Sequence, residues 1–219
     1  MPGIRSTSIR STSVRAALFT VPLVVAGILG TAVAPAAASP HPGDGKSLTC
    51  RGEGVDPKAL VRHRTGTVIH APLSTVWKLQ TDVERWPSWQ KPVTTVDRLD
   101  HGPLRKGSAF RWTTPIPPNP ATPATSLDIT STVKQLKRDS CIRWTGPAIG
   151  EGLRIDGVHV WNFIKVRGGV LVRTEETHAG EQVEANVPAA TEILSEGLEG
   201  WLAALKTTAE ARAGHHQRH

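Results

Sequence analysis

The chain has 219 residues, 38% of them hydrophobic and 21% charged, which suits one buried core with extensions at its ends. Lysine and arginine number 26 against 19 acidic residues, but Arg5, Arg10 and Arg15 sit in the leader, so only a mild basic excess belongs to the rest. No basic run interleaved with aromatics follows, which argues against nucleic acid as a partner.

Residues 1–38 place those three arginines among serines and threonines, then an apolar run from Ala16 to Ala34, then Ala36-Ala37-Ala38 before Ser39-Pro40. Charge, apolar run and small-residue site in that order predict a secretory signal peptide cut after Ala38. The alternative is a retained N-terminal anchor, since the run is long and Pro22 interrupts it. No later apolar run approaches the roughly 18 to 20 residues that cross a bilayer. The expectation is a secreted, extracellular protein with no membrane span once the signal is removed. Cys50 and Cys141 are the only cysteines, and in an oxidising compartment an even count predicts a disulfide between them. It would tether the extension over 39–60, whose first residues (SPHPGDGK) carry no periodicity and predict a flexible leader.

Val61 to His70 alternates and predicts the first strand. Pro72 fixes φ and lacks an N–H, which suits the first turn of a helix, and Leu73, Val76, Trp77, Leu79 and Val83 recur at helical spacing. Pro87 then biases Trp86 away from helical dihedrals, predicting a corner with Trp86 and Trp89 close together and placed to close over a cavity. Strands are expected over 93–99, 108–114, 126–136, 141–145, 153–166 and 170–178, with Gly146-Pro147 ending the fourth of these. Prolines crowd the stretch from Pro115 to Pro123, which predicts a stiff loop. From Pro188 onward Leu194, Leu198, Trp201 and Leu205 fall on one helical stripe. Gly197 and Gly200 inside it predict a bend or a close approach to the sheet. A disordered tail is expected over 213–219.

Several of these residues carry a resemblance. Ile69, Ala71-Pro72, Val76-Trp77, Thr81-Asp82, Arg85-Trp86-Pro87 and Trp89 are similar to the opening of the polyketide cyclase/dehydrase and lipid-transport branch of the START/Bet v1-like (SRPBCC) superfamily. Gly157-Val158-His159-Val160-Trp161, Thr174-Glu175-Glu176 with Gly180, and Gly200-Trp201 to Leu205-Lys206 resemble its late strands and last helix. The resemblance spans about 61–212 and implies an α+β helix-grip fold: a curved antiparallel sheet of about seven strands around a long C-terminal helix, with two short helices after the first strand. It also implies an apolar hollow for a hydrophobic small-molecule ligand.

Strand parity puts Ile155, Gly157, His159, Trp161 and Phe163 on one face, and Thr174, Glu176 and His178 on one face of the next strand, without saying which face is inside. If both point inward, His159 and Glu176 form a candidate acid/base pair. Otherwise they are structural partners. There are seven tryptophans and no tyrosine; Trp112, Trp161, Phe110, Phe163 and Trp144 are the candidate ligand contacts, and Trp86 and Trp201 are expected to serve packing. The histidines His63, His70, His101, His159 and His178 are scattered, and His215, His216 and His219 lie on the tail, so no metal site is expected. No phosphate-binding loop, dinucleotide fingerprint or nucleophile elbow occurs, and no cofactor is implied.

Three functions follow. The first is a secreted carrier or sensor for a lipid or an aromatic, polyketide-like molecule. The second is a polyketide aromatase/cyclase or dehydratase using His159, Glu176 and either Arg154 or Arg143. Export weakens it, because an exported enzyme loses the tethered substrate that supplies effective concentration. The third is a cell-envelope interaction protein with a sealed core and an exposed apolar patch. Nothing in the sequence fixes the oligomeric state.

Overall fold

A computed structural model describes residues 46–116, 118 and 124–216. The signal peptide expected over 1–38, the leader over 39–45, the middle of the proline stretch and the tail residues 217–219 lie outside the described residues.

The chain begins with two short strands, β1 (Thr49–Cys50) and β2 (Glu53–Gly54), which pair only with each other. The main strands are β3 (Val61–Ile69), β4 (Thr95–Arg98), β5 (Ala109–Ile116), β6 (Thr125–Lys137), β7 (Cys141–Gly150), β8 (Leu153–Val166) and β9 (Gly169–Ala179). They form one seven-stranded antiparallel sheet in the order β3-β9-β8-β7-β6-β5-β4. Neighbours in sequence are neighbours in space from β4 to β9, and β3 closes onto β9. Helix α1 (Leu73–Thr81) and a 3-10 helix (Val83–Ser88) carry the chain from β3 at one edge to β4 at the other. After β9 come α2 (Glu181–Glu184) and the 30-residue helix α3 (Val187–His216). This is the helix-grip architecture.

Pro72 stands one position earlier than expected, as the N-cap of α1 rather than inside it. The corner at Trp86-Pro87 is a 3-10 helix and not a break: the Trp89 and Gln90 amides donate to the Trp86 carbonyl, and so short a turn tolerates the absence of the Pro87 donor. It does not close over a cavity with Trp86, which is fully buried, its ring 5.3 Å from Phe110 and 4.9 Å from Trp201. Strand β7 runs on through Gly146-Pro147, where the sequence reading ended it. There the β6 ladder skips both residues, so the missing N–H costs least. A Cβ on Gly146 would lie 1.9 Å from the Thr130 carbonyl oxygen, so glycine serves close backbone approach there and not termination. Helix α3 continues to His216, past the point where the tail was expected to begin.

The sheet is buried on its inner face and on the part of its outer face that the 46–60 extension covers. On the inner face, Leu194, Leu198, Leu202, Leu205 and Ala209 of α3 pack as one buried stripe. On the outer face the 46–60 extension is strapped down. Cys50 is bonded to Cys141, and Leu48, Val55 and Val160 bury around the bridge. The Glu175 carboxylate, pointing outward, accepts hydrogen bonds from the Leu48 amide at 2.6 Å and the Ser47 hydroxyl at 3.0 Å. Arg143 Nε donates to the Gly54 carbonyl at 2.7 Å, and Gln135 donates to Glu53. A bridge that closes so long a loop contributes on the order of 2 to 4 kcal/mol.

Candidate functional site: a tryptophan-walled hollow

The inner face of the sheet divides along its length. At one end Trp77 of α1 meets Phe163 edge-on at 5.2 Å, and Trp86, Phe110, Val133 and Ile142 fill the space solidly. Toward the other end Leu194 and Leu198 of α3 meet Leu127, Ala148 and Ile155 in a second buried cluster, and between helix and sheet a cavity of about 1000 Å³ remains, partly open to solvent. Trp112, Trp144 and Ile129 form its sheet wall, and Trp89 and Trp201 close it on the packed side.

Of the residues singled out from sequence, Trp112, Trp144, His159 and Glu176 line this hollow. Phe110, Trp161 and Phe163 do not. They are 0%, 0% and 4% exposed, inside the packed end. Trp161 and Phe163 share the inner face with His159, as parity groups them, but α1 and the 3-10 helix cover that part of it, which no alternation pattern records. Trp201, expected to serve packing, does both jobs: its Nε1 donates to Gln80 Oε1 at 3.0 Å while its ring faces the hollow. The sequence did not single out His178 or Ser131 as lining residues, whereas Trp89, of the corner expected to close over a cavity, does line the hollow. His178 was accessible to the same parity rule, two positions from Glu176.

Gly197 and Gly200 make no close approach to the sheet. A Cβ on either meets nothing within 4 Å, and both border the cavity. The arginines considered for the cyclase reading are elsewhere. Arg143 is on the outer face with Glu53, and Arg154 pairs at the surface with Asp156 at 2.7 Å.

The polar part of the wall is a connected row. His159 and Glu176 face each other across β8 and β9, with His159 Nδ1 3.1 Å from Glu176 Oε2. His159 Nε2 lies 2.6 Å from the Thr174 hydroxyl, and His178 Nε2 lies 3.3 Å from Glu176 Oε1. Burial pushes His159 down to about 4, against the pull of Glu176. Burial also opposes ionisation of Glu176, but the His159 and His178 rings outweigh it and hold the carboxyl below its ordinary value. At neutral pH the pair is therefore a carboxylate and a neutral imidazole. The partners assign the tautomer: Nδ1–H donates to Glu176, and Nε2 accepts from Thr174. The ring is further held between Trp144 at 5.3 Å and Trp161 at 4.9 Å.

Among the described residues, no group of three or more His, Cys, Asp or Glu is arranged to hold a metal ion, and no helix is long and apolar enough to cross a membrane.

Comparison with known proteins agrees with this architecture. A START superfamily protein from Mycobacterium smegmatis superposes with a TM-score of 0.56 at 14% identity, over 68% of this chain and 97% of that one. The di-domain aromatase/cyclase StfQ of the steffimycin biosynthetic pathway gives 0.55 at 16%, over 70% of this chain and 52% of that one. Ara h 8.0201 gives 0.53 at 10%, over 68% and 97%. At these identities the likeness is one of fold. No curated protein matches the chain. The family model described as polyketide cyclase/dehydrase and lipid transport matches residues 61–210, and with that match and the helix-grip fold the chain belongs to this family of the START/Bet v1-like superfamily.

Proposed function

We propose that the protein binds a hydrophobic, ring-containing small molecule in the hollow under α3 and carries or senses it without converting it. The observation that supports this reading most is the hollow itself: about 1000 Å³, walled by indoles, with its polar groups gathered in one row. That is the usual composition of a small-molecule site, and a protein that acted only through its surface would have no need of it.

The second reading, a cyclase or dehydratase, draws on the His159–Glu176 contact at 3.1 Å. Three features weigh against it. Both ring nitrogens of His159 are engaged within the protein. Glu176 is held below its ordinary value, which makes it a weak base. Neither Arg143 nor Arg154 reaches the hollow.

We also read the protein as exported. The leader over residues 1–38 and the Cys50–Cys141 bridge both suit an oxidising compartment.

Native mass spectrometry of the protein purified from its own secretion medium, without reductant, tests the reading. A discrete apolar adduct whose mass stays constant on incubation is the expected result. An adduct that becomes lighter by one water would favour the dehydratase. A protein recovered only from the cell interior would contradict export.

A further inference from the structure

The charges around the hollow are lopsided for a chain with a net charge of +7. Glu176 stands on the sheet wall, Glu192 and Glu196 stand on the helix lip, and among the described residues the only lysine or arginine lining the cavity is the exposed Lys91. The Glu176 side chain is 19% exposed, and the hollow is what it borders. A carboxylate has about four lone-pair positions, of which His159 and His178 occupy one each.

Gly157 keeps the carboxylate open. It stands beside Glu176 on the neighbouring strand, and a Cβ there would sit 3.6 Å from Glu176 Oε1 and 3.9 Å from the His178 ring. Those are ordinary contact distances, and its φ is not in the left-handed region, so the backbone does not demand glycine. What the missing methyl does is leave Oε1 uncovered toward the cavity.

From this arrangement we propose that the ligand carries a protonated amine that pairs with the Glu176 carboxylate, while its apolar rings occupy the space between Trp112, Trp144 and Trp201. The inference rests on the binding reading above and narrows it. A ligand ending in a carboxylate would bring a second negative charge into a poorly solvated site, and a neutral ketone offers the carboxylate no donor. An ammonium supplies the opposite charge and up to three donors. Glu192 and Glu196 at the lip add attraction for a cation on entry.

The test compares one tricyclic body with three head groups: dehydroabietylamine, dehydroabietyl alcohol and dehydroabietate, titrated at constant salt and followed by tryptophan emission and calorimetry. The amine is expected to bind at least about tenfold more tightly than the alcohol, with the carboxylate weakest, in keeping with a charge-assisted hydrogen bond. In Glu176→Gln the ratio of amine to alcohol affinity should fall close to one. Gly157→Ala, which covers Oε1 with a methyl group in ordinary contact, should reduce the same ratio and serves if the first variant does not fold. Equal affinity for all three compounds, or a preference for the amine that survives in the folded variants, overturns the proposal and leaves the hollow as a binding site. If none of the three binds and a neutral apolar dye is also refused, the binding reading falls and the amine falls with it.

Discussion

His159 is a neutral imidazole kept in a place where its charged form is poorly tolerated, and that has a consequence for stability. Its folded-state value is about 4, against 6.5 for the free side chain. The unfolded chain therefore takes up a proton before the folded one does, and acidification favours unfolding. The contribution is fully present above about 6.5 and is lost as the pH falls toward 4. Its size is on the order of 3 kcal/mol. Glu176, also lowered, acts in the same direction at lower pH. Urea unfolding followed across this range should show stability falling with acid, with a flatter profile in His159→Gln. An unchanged profile in that variant would place the acid sensitivity elsewhere. Parity of β8 and β9 gave His159 and Glu176 as a pair only on the condition that both point inward, and the strand register, which parity does not supply, sets them opposite each other. Nor was parity enough to separate Trp144, which borders the hollow, from Trp161, which is sealed in the core, because both lie on the inner face and differ only in what is laid over them.

At the level of elements, alternation located all the main strands and helical spacing located α3, while the boundaries moved where proline and glycine had been read only as punctuation. Gly146-Pro147 looked like a stop and is a point of close approach inside a strand, since a sequence shows the absence of a side chain but not the backbone that fills its place. Gly197 and Gly200 present the opposite case. They looked like close contacts and are spaces. Because a methyl group at either meets nothing within 4 Å, Gly197→Ala and Gly200→Ala should each stabilise the protein by about 0.5 to 1 kcal/mol through helix propensity. A higher denaturation midpoint with an unchanged slope is the expected result; destabilisation would mean that α3 packs more closely there than the structure indicates. Two short helices were also expected after the first strand; the second is a 3-10 turn that wedges Trp86 into the core.

For the molecule as a whole, fold and hollow are two results of one arrangement. A long helix laid on a strongly curved sheet packs well only where a further layer fills the curvature. Here α1 and the 3-10 helix fill one end, Leu194 and Leu198 pack on Leu127, Ala148 and Ile155 toward the other, and the hollow is the space left between α3 and the sheet. The extension over 46–60 covers the outer face, so the strands under it are buried on both sides, and the Cys50–Cys141 bridge holds that cover in place. The sequence carried the architecture through its periodicities and through the resemblance of its corner and late strands to the family. It could not carry the place of the hollow between two packed clusters, which depends on where α1 and α3 come to rest.

If the hollow under α3 is a binding site, it admits an apolar molecule. The most direct measurement is a titration of the purified full-length protein with Nile red, following both dye emission and energy transfer from the indoles. Saturation at one dye per chain is expected, with strong transfer from Trp112, Trp144 and Trp201, whose rings border the cavity. Absence of saturable uptake, or saturation without loss of tryptophan emission, would contradict the binding reading.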